Sequence, residues 1–269
     1  EFLGMLRDAY DGSCSKAFGT GVERTYVSRF GFIGATTPEI DANWSLNVAL
    51  GERFIRFRVR SNLDQVYDKI DKALNNLMEE DARDLELETA SLSFLKYLLR
   101  EDATLPPLSL ITKIGRLAQL GAILRTGVSR NAYNSQVLVV PEYEEATRFA
   151  KCLAKVAMAL AFIREKPTND QEEMEDLKTL VRDGLDGKTQ LILKAIWQNP
   201  QMDSIELANE VKLPDYTVRT VIADLEVARI ITRYKEPTAF NYHYRFIPWI
   251  EAQIEEFKLW PKVEKKGNK

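Results

Sequence analysis

The sequence predicts a mainly α chain with a small α/β part, and three observations predict it. Apolar residues recur at helical spacing through most of residues 63–257. Segments with the period of two expected of strands are short and confined to the two ends, at residues 55–60, 230–234 and 242–246. Glycine or proline marks breaks between segments at Gly12, Gly19, Gly21, Pro200, Pro214 and Pro237.

Taking the elements in order, residues 2–10 have helical spacing, with Phe2, Leu3, Leu6 and Tyr10 on one face. Gly12, Gly19 and Gly21 then break regularity, and Thr20-Gly21 is expected to tip a hairpin because glycine accepts the positive φ of tight turns. Residues 29–35 read as a short, mostly buried strand ending in Thr36-Thr37-Pro38, followed by a helical connection. In residues 55–60, Ile55, Phe57 and Val59 alternate with Arg56, Arg58 and Arg60, which predicts a strand with one polar face.

Ser61 or Asn62 caps a predicted helix over 63–78, and a second helix covers about 87–100. Pro106-Pro107 opens a third helix to about Thr126, since proline fits a first turn. Residues 136–140 are a short extended piece. A long amphipathic helix follows over 142–164, with Phe149, Leu153, Val156, Leu160 and Ile163 at helical spacing. Residues 166–169 break the pattern at Pro167, and an acidic helix covers 170–182.

The C-terminal third has the most regular punctuation. A helix over 188–198 stops at Asn199-Pro200. A short second helix, 204–211, is capped by Ser204 or Asp203, and Lys212-Leu213-Pro214 is a tight turn. Asp215 is expected to cap a third helix through about Ala228, with Val218, Ile222 and Leu225 inward. Two strands, 230–234 and 242–246, are joined by residues 236–241. A last helix over 248–257 is anchored by Trp249 and Ile250, and the lysine-rich end reads as a disordered tail.

Composition narrows the function classes. With 269 residues, 45% hydrophobic and 29% charged, the chain suits a globular protein of two or three domains. No run approaches 18 apolar residues, so no membrane helix is expected, nor a signal peptide. The first residue is Glu1 rather than Met, and the chain is expected to be a fragment or a natural truncation. Cys14 and Cys152 form no metal or disulfide pattern, which fits a reducing, cytoplasmic setting. A single histidine, His243, argues against histidine metal centres and Ser-His hydrolases. The net charge of -3 is unevenly spread: residues 61–187 sum to about -6, while basic groups cluster at Arg53, Arg56, Arg58 and Arg60, at Arg229, Arg233 and Lys235, and in the tail.

The order of elements in residues 1–60 resembles the second half of the AAA+ ATPase core, as in the minichromosome-maintenance helicases and related motors of mobile elements. The resemblance rests on the glycine-tipped hairpin, on Gly34-Ala35-Thr36-Thr37-Pro38 and on Gly51-Glu52-Arg53-Phe54. It implies that Thr37 stands where the family has its first nucleotide sensor, often an Asn. It also implies that Arg53 is an arginine finger acting on a neighbouring subunit's ATP. Lys16 and Arg24 would flank a DNA-touching hairpin tip. Residues 61–165 resemble the family's helical lid, with Lys113 or Arg116 as second sensor, and 166–187 a linker helix. No G-x-x-x-x-G-K-[ST] occurs, nor a strand ending in acidic Mg²⁺ ligands. The resemblance therefore implies ATP and Mg²⁺ for a full-length, oligomeric ATPase of DNA replication, and no hydrolysis or cofactor for this chain alone.

Residues 188–247 resemble a winged helix-turn-helix: three helices with a short second one, then a two-stranded wing. The resemblance makes the third helix a recognition helix, with Tyr216, Thr217, Arg219, Thr220 and Ala223 outward. Arg219 would pair with guanine, Tyr216 and Thr217 would touch phosphate or a thymine methyl, and Arg233 and Lys235 would lie on a basic wing edge. The same residues balance at about +1, so strong DNA binding requires that the charges segregate. Residues 248–269 complete the chain as a terminal helix and basic tail. Three functions follow: the DNA-binding C-terminal part of a helicase-like motor, a non-enzymatic DNA-binding regulator, or an adaptor whose winged helix binds protein.

Overall fold

The computed structural model describes residues 8–17, 23–27, 31–37, 40–41, 54–60, 66–99, 110–131, 133–165, 171–237 and 240–262. Over these residues the protein is mainly helical, with two separate two-stranded antiparallel sheets. At the N-terminal end, β1 (Ser13–Ala17) pairs with β2 (Glu23–Val27), setting Lys16 opposite Arg24. The proposed Thr20-Gly21 tip lies outside the described residues.

The next two predicted strands are not formed. Residues 31–37 have no ladder partner and are exposed throughout. Ile33 is fully exposed, and Phe32 meets the edge of Phe54 at 5.7 Å. With glycine at 31 and 34 and no neighbouring strand among the described residues, nothing there offsets the backbone entropy of ordering this stretch into a ladder. Residues 54–60 also lack a ladder, and their faces are reversed from the expectation: Phe57 and Val59 are exposed while Arg56 and Arg58 are half-buried. The cause is the neighbour. This segment lies against an acidic turn rather than an apolar sheet, so Arg56 and Arg58 turn inward, while Arg60 reaches the same turn from an exposed position.

Helix α1 (Val66–Asn76) is joined to α2 (Glu80–Leu98) by one 3-10 turn, Leu77–Glu79, where the sequence suggested a gap before residue 87. Residues 79–86 contain no glycine or proline to stop a helix. Glu80 and Asp81 favour a helix start through the dipole, and Arg83 pairs with Glu79 one turn away.

Three helices follow: α3 (Ile111–Leu124), α4 (Ala146–Arg164) and α5 (Gln171–Asp183). The Pro106-Pro107 start lies outside the described residues. The buried stripe of α4 is Phe149, Leu153, Ala157 and Ala161, whereas Ile163 is exposed. The apolar sizes pointed to Val156, Leu160 and Ile163, but the alanine face allows closer helix approach. Gly121 of α3 completes that approach: a Cβ there would stand 2.7 Å from the Phe149 ring and 3.1 Å from Val181.

The C-terminal part holds α6 (Gly187–Gln198), α7 (Ser204–Val211), α8 (Asp215–Val227), β3 (Ile231–Tyr234), β4 (His243–Phe246) and α9 (Pro248–Phe257). Asp186 caps α6 through the Lys188 and Thr189 amides. Asp203 caps α7 in a reciprocal box with Glu206. Asp215 does not cap α8. Pro214 holds the cap position, and Asp215 instead pairs with Arg219 along the first turn.

Helices α7, α8 and α9 end in the same way. Lys212, Arg229 and Lys258 take left-handed conformations at φ 55°, 53° and 49°. The next residues, Leu213, Ile230 and Leu259, donate their amides back to Ala208, Leu225 and Ile254. A basic side chain suits the negative helix end, and the apolar residue after it folds inward. This closure corrects the tail expectation: Leu259 and Trp260 are buried, and the Trp260 carbonyl accepts from Trp197 Nε1 at 2.9 Å.

One cluster of buried side chains runs from Ile114 in α3 to Trp260, crossing residues 165 and 187 without interruption. Leu117, Leu153, Leu177, Ile192, Ile196, Ile230 and Ile250 share it. By contrast, α1 and α2 bury no residue.

Candidate nucleic-acid interface

The outward face of α8 is set by its buried one. Val218, Ile222 and Leu225 point into the core, which leaves Tyr216, Arg219 and Thr220 toward the other side. Tyr216 is 74% exposed. Thr220 Oγ1 donates to the Tyr216 carbonyl at 2.9 Å, and Thr217 is half-buried. Arg219 is held by Asp215 at 2.8 Å, so its guanidinium lies along the first turn of the helix.

The β3–β4 hairpin stands beside this face. Ile231 pairs with Phe246, Thr232 with Arg245, Arg233 with Tyr244 and Tyr234 with His243. Tyr234 and His243 lie on one side, where the Tyr234 hydroxyl donates to the Pro200 carbonyl at 3.0 Å and His243 Nδ1 meets the Gln201 carbonyl. Asn241 Nδ2 donates to Asp203 at 2.6 Å. These contacts seat the hairpin on the α6–α7 connection. On the other side, Arg233 lies 5.2 Å and Lys235 5.8 Å from the centre of the Tyr242 ring. Arg245 is on the Tyr234 side, 5.2 Å from the centre of that ring. Diagonal cation–ring pairs of this kind hold long side chains at an exposed edge.

The acidic residues of this region are largely engaged elsewhere. Asp203 and Glu206 cap α7, and the Asp203 carboxyl is held below its usual range by the Glu206 and Ile205 amides and by Asn241. Asp224 is bound by Arg130 from the loop after α3 at 2.5 Å. Burial pushes the Asp224 carboxyl up, and Arg130 only partly offsets this. Glu226 lies 3.7 Å from Arg233, where hairpin and helix meet. Burial, with Glu226 nearby, raises the Tyr244 hydroxyl. A balance near zero therefore conceals a basic, aromatic edge of Arg219, Arg233, Lys235 and Tyr242, with Arg245 exposed on the opposite side of the hairpin.

The other expected site residues are dispersed. Thr37 ends no strand: it lies in an exposed turn, its carbonyl accepting from the Ile40 amide and the Thr36 hydroxyl, both at 3.3 Å. Arg53 lies outside the described residues. Lys16 and Arg24 face each other across the first hairpin. Lys113 is exposed near the start of α3, and Arg116 is paired with Glu256 of α9. A cleft of about 600 Å³ opens between α3 and the start of α4, lined by Gly115, Gln119, Ile123, Tyr143, Thr147 and Lys151 among others. Neither Lys113 nor Arg116 is among its lining residues.

Sequence reasoning missed a charged junction that joins Asp41 and residues 58–60 to the turn between α5 and α6. The Arg58 amide donates to Asp183 Oδ2 at 2.9 Å, and its guanidinium pairs with both Asp41 oxygens at 2.8 and 2.9 Å. Arg58 also donates to the Asp183 and Leu185 carbonyls, and Arg60 reaches Asp183 at 2.8 Å. Asp41 further accepts from the Gly187 amide at 3.1 Å. Burial alone would push the Asp41 carboxyl up, but the Arg58 hydrogen bonds, the Gly187 amide and the nearby arginines hold it below its ordinary value. Among the described residues no cluster of His, Cys, Asp or Glu is arranged to hold a metal, and no helix is long and apolar enough to cross a membrane. In comparisons with family models, curated proteins and solved structures, nothing matches this chain.

Proposed function

We propose that α6, α7, α8 and the β3–β4 hairpin are a winged helix-turn-helix that binds DNA, with α8 as the helix placed in the major groove. The observation that carries this reading is the placement of charge: Arg219 of α8 and Arg233 and Lys235 on one side of the hairpin are exposed, while Asp203, Glu206 and Asp224 are occupied in caps and ion pairs. Phosphate contacts from the hairpin would set the register, and Tyr216 and Arg219 would face the bases. Arg219 must exchange Asp215 for its DNA partner, which weakens its net contribution.

Fluorescence anisotropy with a duplex across salt concentrations tests this. With Arg233 and Lys235 engaging phosphate, log Kd should change with log salt with a slope of about 2. No binding at low salt would instead favour a protein-binding adaptor.

The reading as part of a helicase-like AAA+ motor draws support from the first hairpin, where Lys16 and Arg24 sit side by side across the ladder. In that reading the complete protein is an oligomer using ATP and Mg²⁺, Arg53 acts on a neighbour's nucleotide, and Thr37 and Lys113 or Arg116 act as sensors. The missing strands at 31–37 and 54–60 weigh against it. Its test is DNA-stimulated ATPase activity of a protein extended upstream, which Arg53→Ala should abolish.

A further inference from the structure

The hairpin tip carries a feature that duplex binding alone does not use. Phe240, between β3 and β4, is 96% exposed. Tyr242 beside it has a different environment, because Arg233 and Lys235 both lie over its ring. The hairpin thus divides its labour. Tyr242 holds two cations in place, and Phe240 offers a bare aromatic face beyond them. Leaving such a ring in water forfeits the burial that usually places phenylalanine inside. An aromatic face beside fixed cations matches one ligand chemistry well: a base that is not stacked on its neighbour, joined to phosphates a few ångströms away.

The anchoring of the hairpin fits this use. Tyr234, His243 and Asn241 fasten its inner side to residues 200–203. Arg233 lies 3.7 Å from Glu226 of α8, which ties this side of the hairpin to the proposed reading helix. A duplex lying on α8 would bring its end, or a break in it, to the hairpin.

We propose that the preferred ligand of this surface is DNA with an unpaired base next to a duplex, as at a fork or a single-strand junction. Phe240 stacks on the first unpaired base, and Arg233 and Lys235 neutralise the phosphates that flank it. This rests on the DNA-binding reading above and adds to it the class of DNA structure.

The experiment compares a forked duplex with a blunt duplex of the same paired length, in anisotropy titrations at fixed salt. A 2-aminopurine at the first unpaired position reports stacking directly. The wild-type protein should bind the fork about tenfold more tightly and quench the 2-aminopurine, the size expected for one base–aromatic stack. Phe240→Ala should remove both the preference and the quenching while leaving blunt-duplex affinity unchanged, and Phe240→Trp should keep both. Because Phe240 is exposed, its truncation does not touch the core. Equal affinity for fork and blunt duplex in the wild type, or an equal loss on both with Phe240→Ala, would overturn the junction proposal and leave duplex binding intact. Failure to bind either DNA would overturn both readings.

Discussion

Arg58→Ala gives the sharpest test of how residues 54–60 are held to the turn between α5 and α6. The substitution keeps the Arg58 amide bond to Asp183 but removes the bidentate pair with Asp41 and the donations to the Asp183 and Leu185 carbonyls. Exposed pairs are worth about 0.2–1 kcal/mol, and breaking a fully buried pair costs about 3–5 kcal/mol. The Arg58 and Asp41 side chains are 22% and 17% exposed, between these limits. Asp41 also keeps the Gly187 amide and Arg56 at 3.6 Å, so its charge is not abandoned. A loss of about 2 kcal/mol follows, to be measured by urea unfolding followed by circular dichroism. Hydrogen exchange at the Arg58 amide reports whether the segment is released locally. The Asp41 carboxyl is held below its ordinary value of 3.8, so its contribution is fully present above that pH. It is lost as pH falls through the lower folded value, and the difference between wild type and variant should shrink there. A change under about 0.5 kcal/mol, with unchanged amide protection, would refute the reasoning.

Four further outcomes are expected. Lys212→Gly should stabilise the protein by about 1 kcal/mol in urea unfolding, because glycine takes the left-handed conformation without steric cost. Gly121→Ala should destabilise it by about 1–3 kcal/mol, seen as a lower urea midpoint, since the new Cβ meets the Phe149 ring at 2.7 Å. Asp203→Ala should cost about 1 kcal/mol by removing the α7 capping box. The double variant Arg233→Ala with Lys235→Ala should lower the salt slope of DNA binding by about 2, measured by anisotropy, while the thermal melt stays close to wild type.

The sequence was most legible where local chemistry decides structure. Residues 187–257 carry their own stops, and Pro200, Asp203, Pro214 and Pro248 place the helix ends within a residue or two. The alternation in Ile231–Tyr234 and His243–Phe246 matches a real ladder because each strand has a partner nearby in sequence. The alternation in residues 54–60 misled, because a period of two marks an extended chain and not the neighbour it needs. That neighbour is set by Asp183, more than a hundred residues away, so Arg56 and Arg58 turned inward rather than outward. The Lys-Leu, Arg-Ile and Lys-Leu pairs at 212–213, 229–230 and 258–259 were available as a signal for helix ends, but glycine is the residue usually sought there. In the site, the outward residues of α8 followed from its periodicity, whereas the cation–ring pairs depend on cross-strand register and were not visible in advance.

Because α9 closes back against α3, and Leu259 and Trp260 seal the bottom of Trp197, the C-terminal part cannot be excised at residue 187 as a tidy fragment. Such a cut would strip the apolar flanks of Ile250 and Ile254 and leave a sticky, poorly behaved peptide. Seen mechanically, the hairpin is mounted on the same rigid block as α3 and α4. A force on the hairpin would reach those helices as bulk rotation rather than being absorbed by a slack tether.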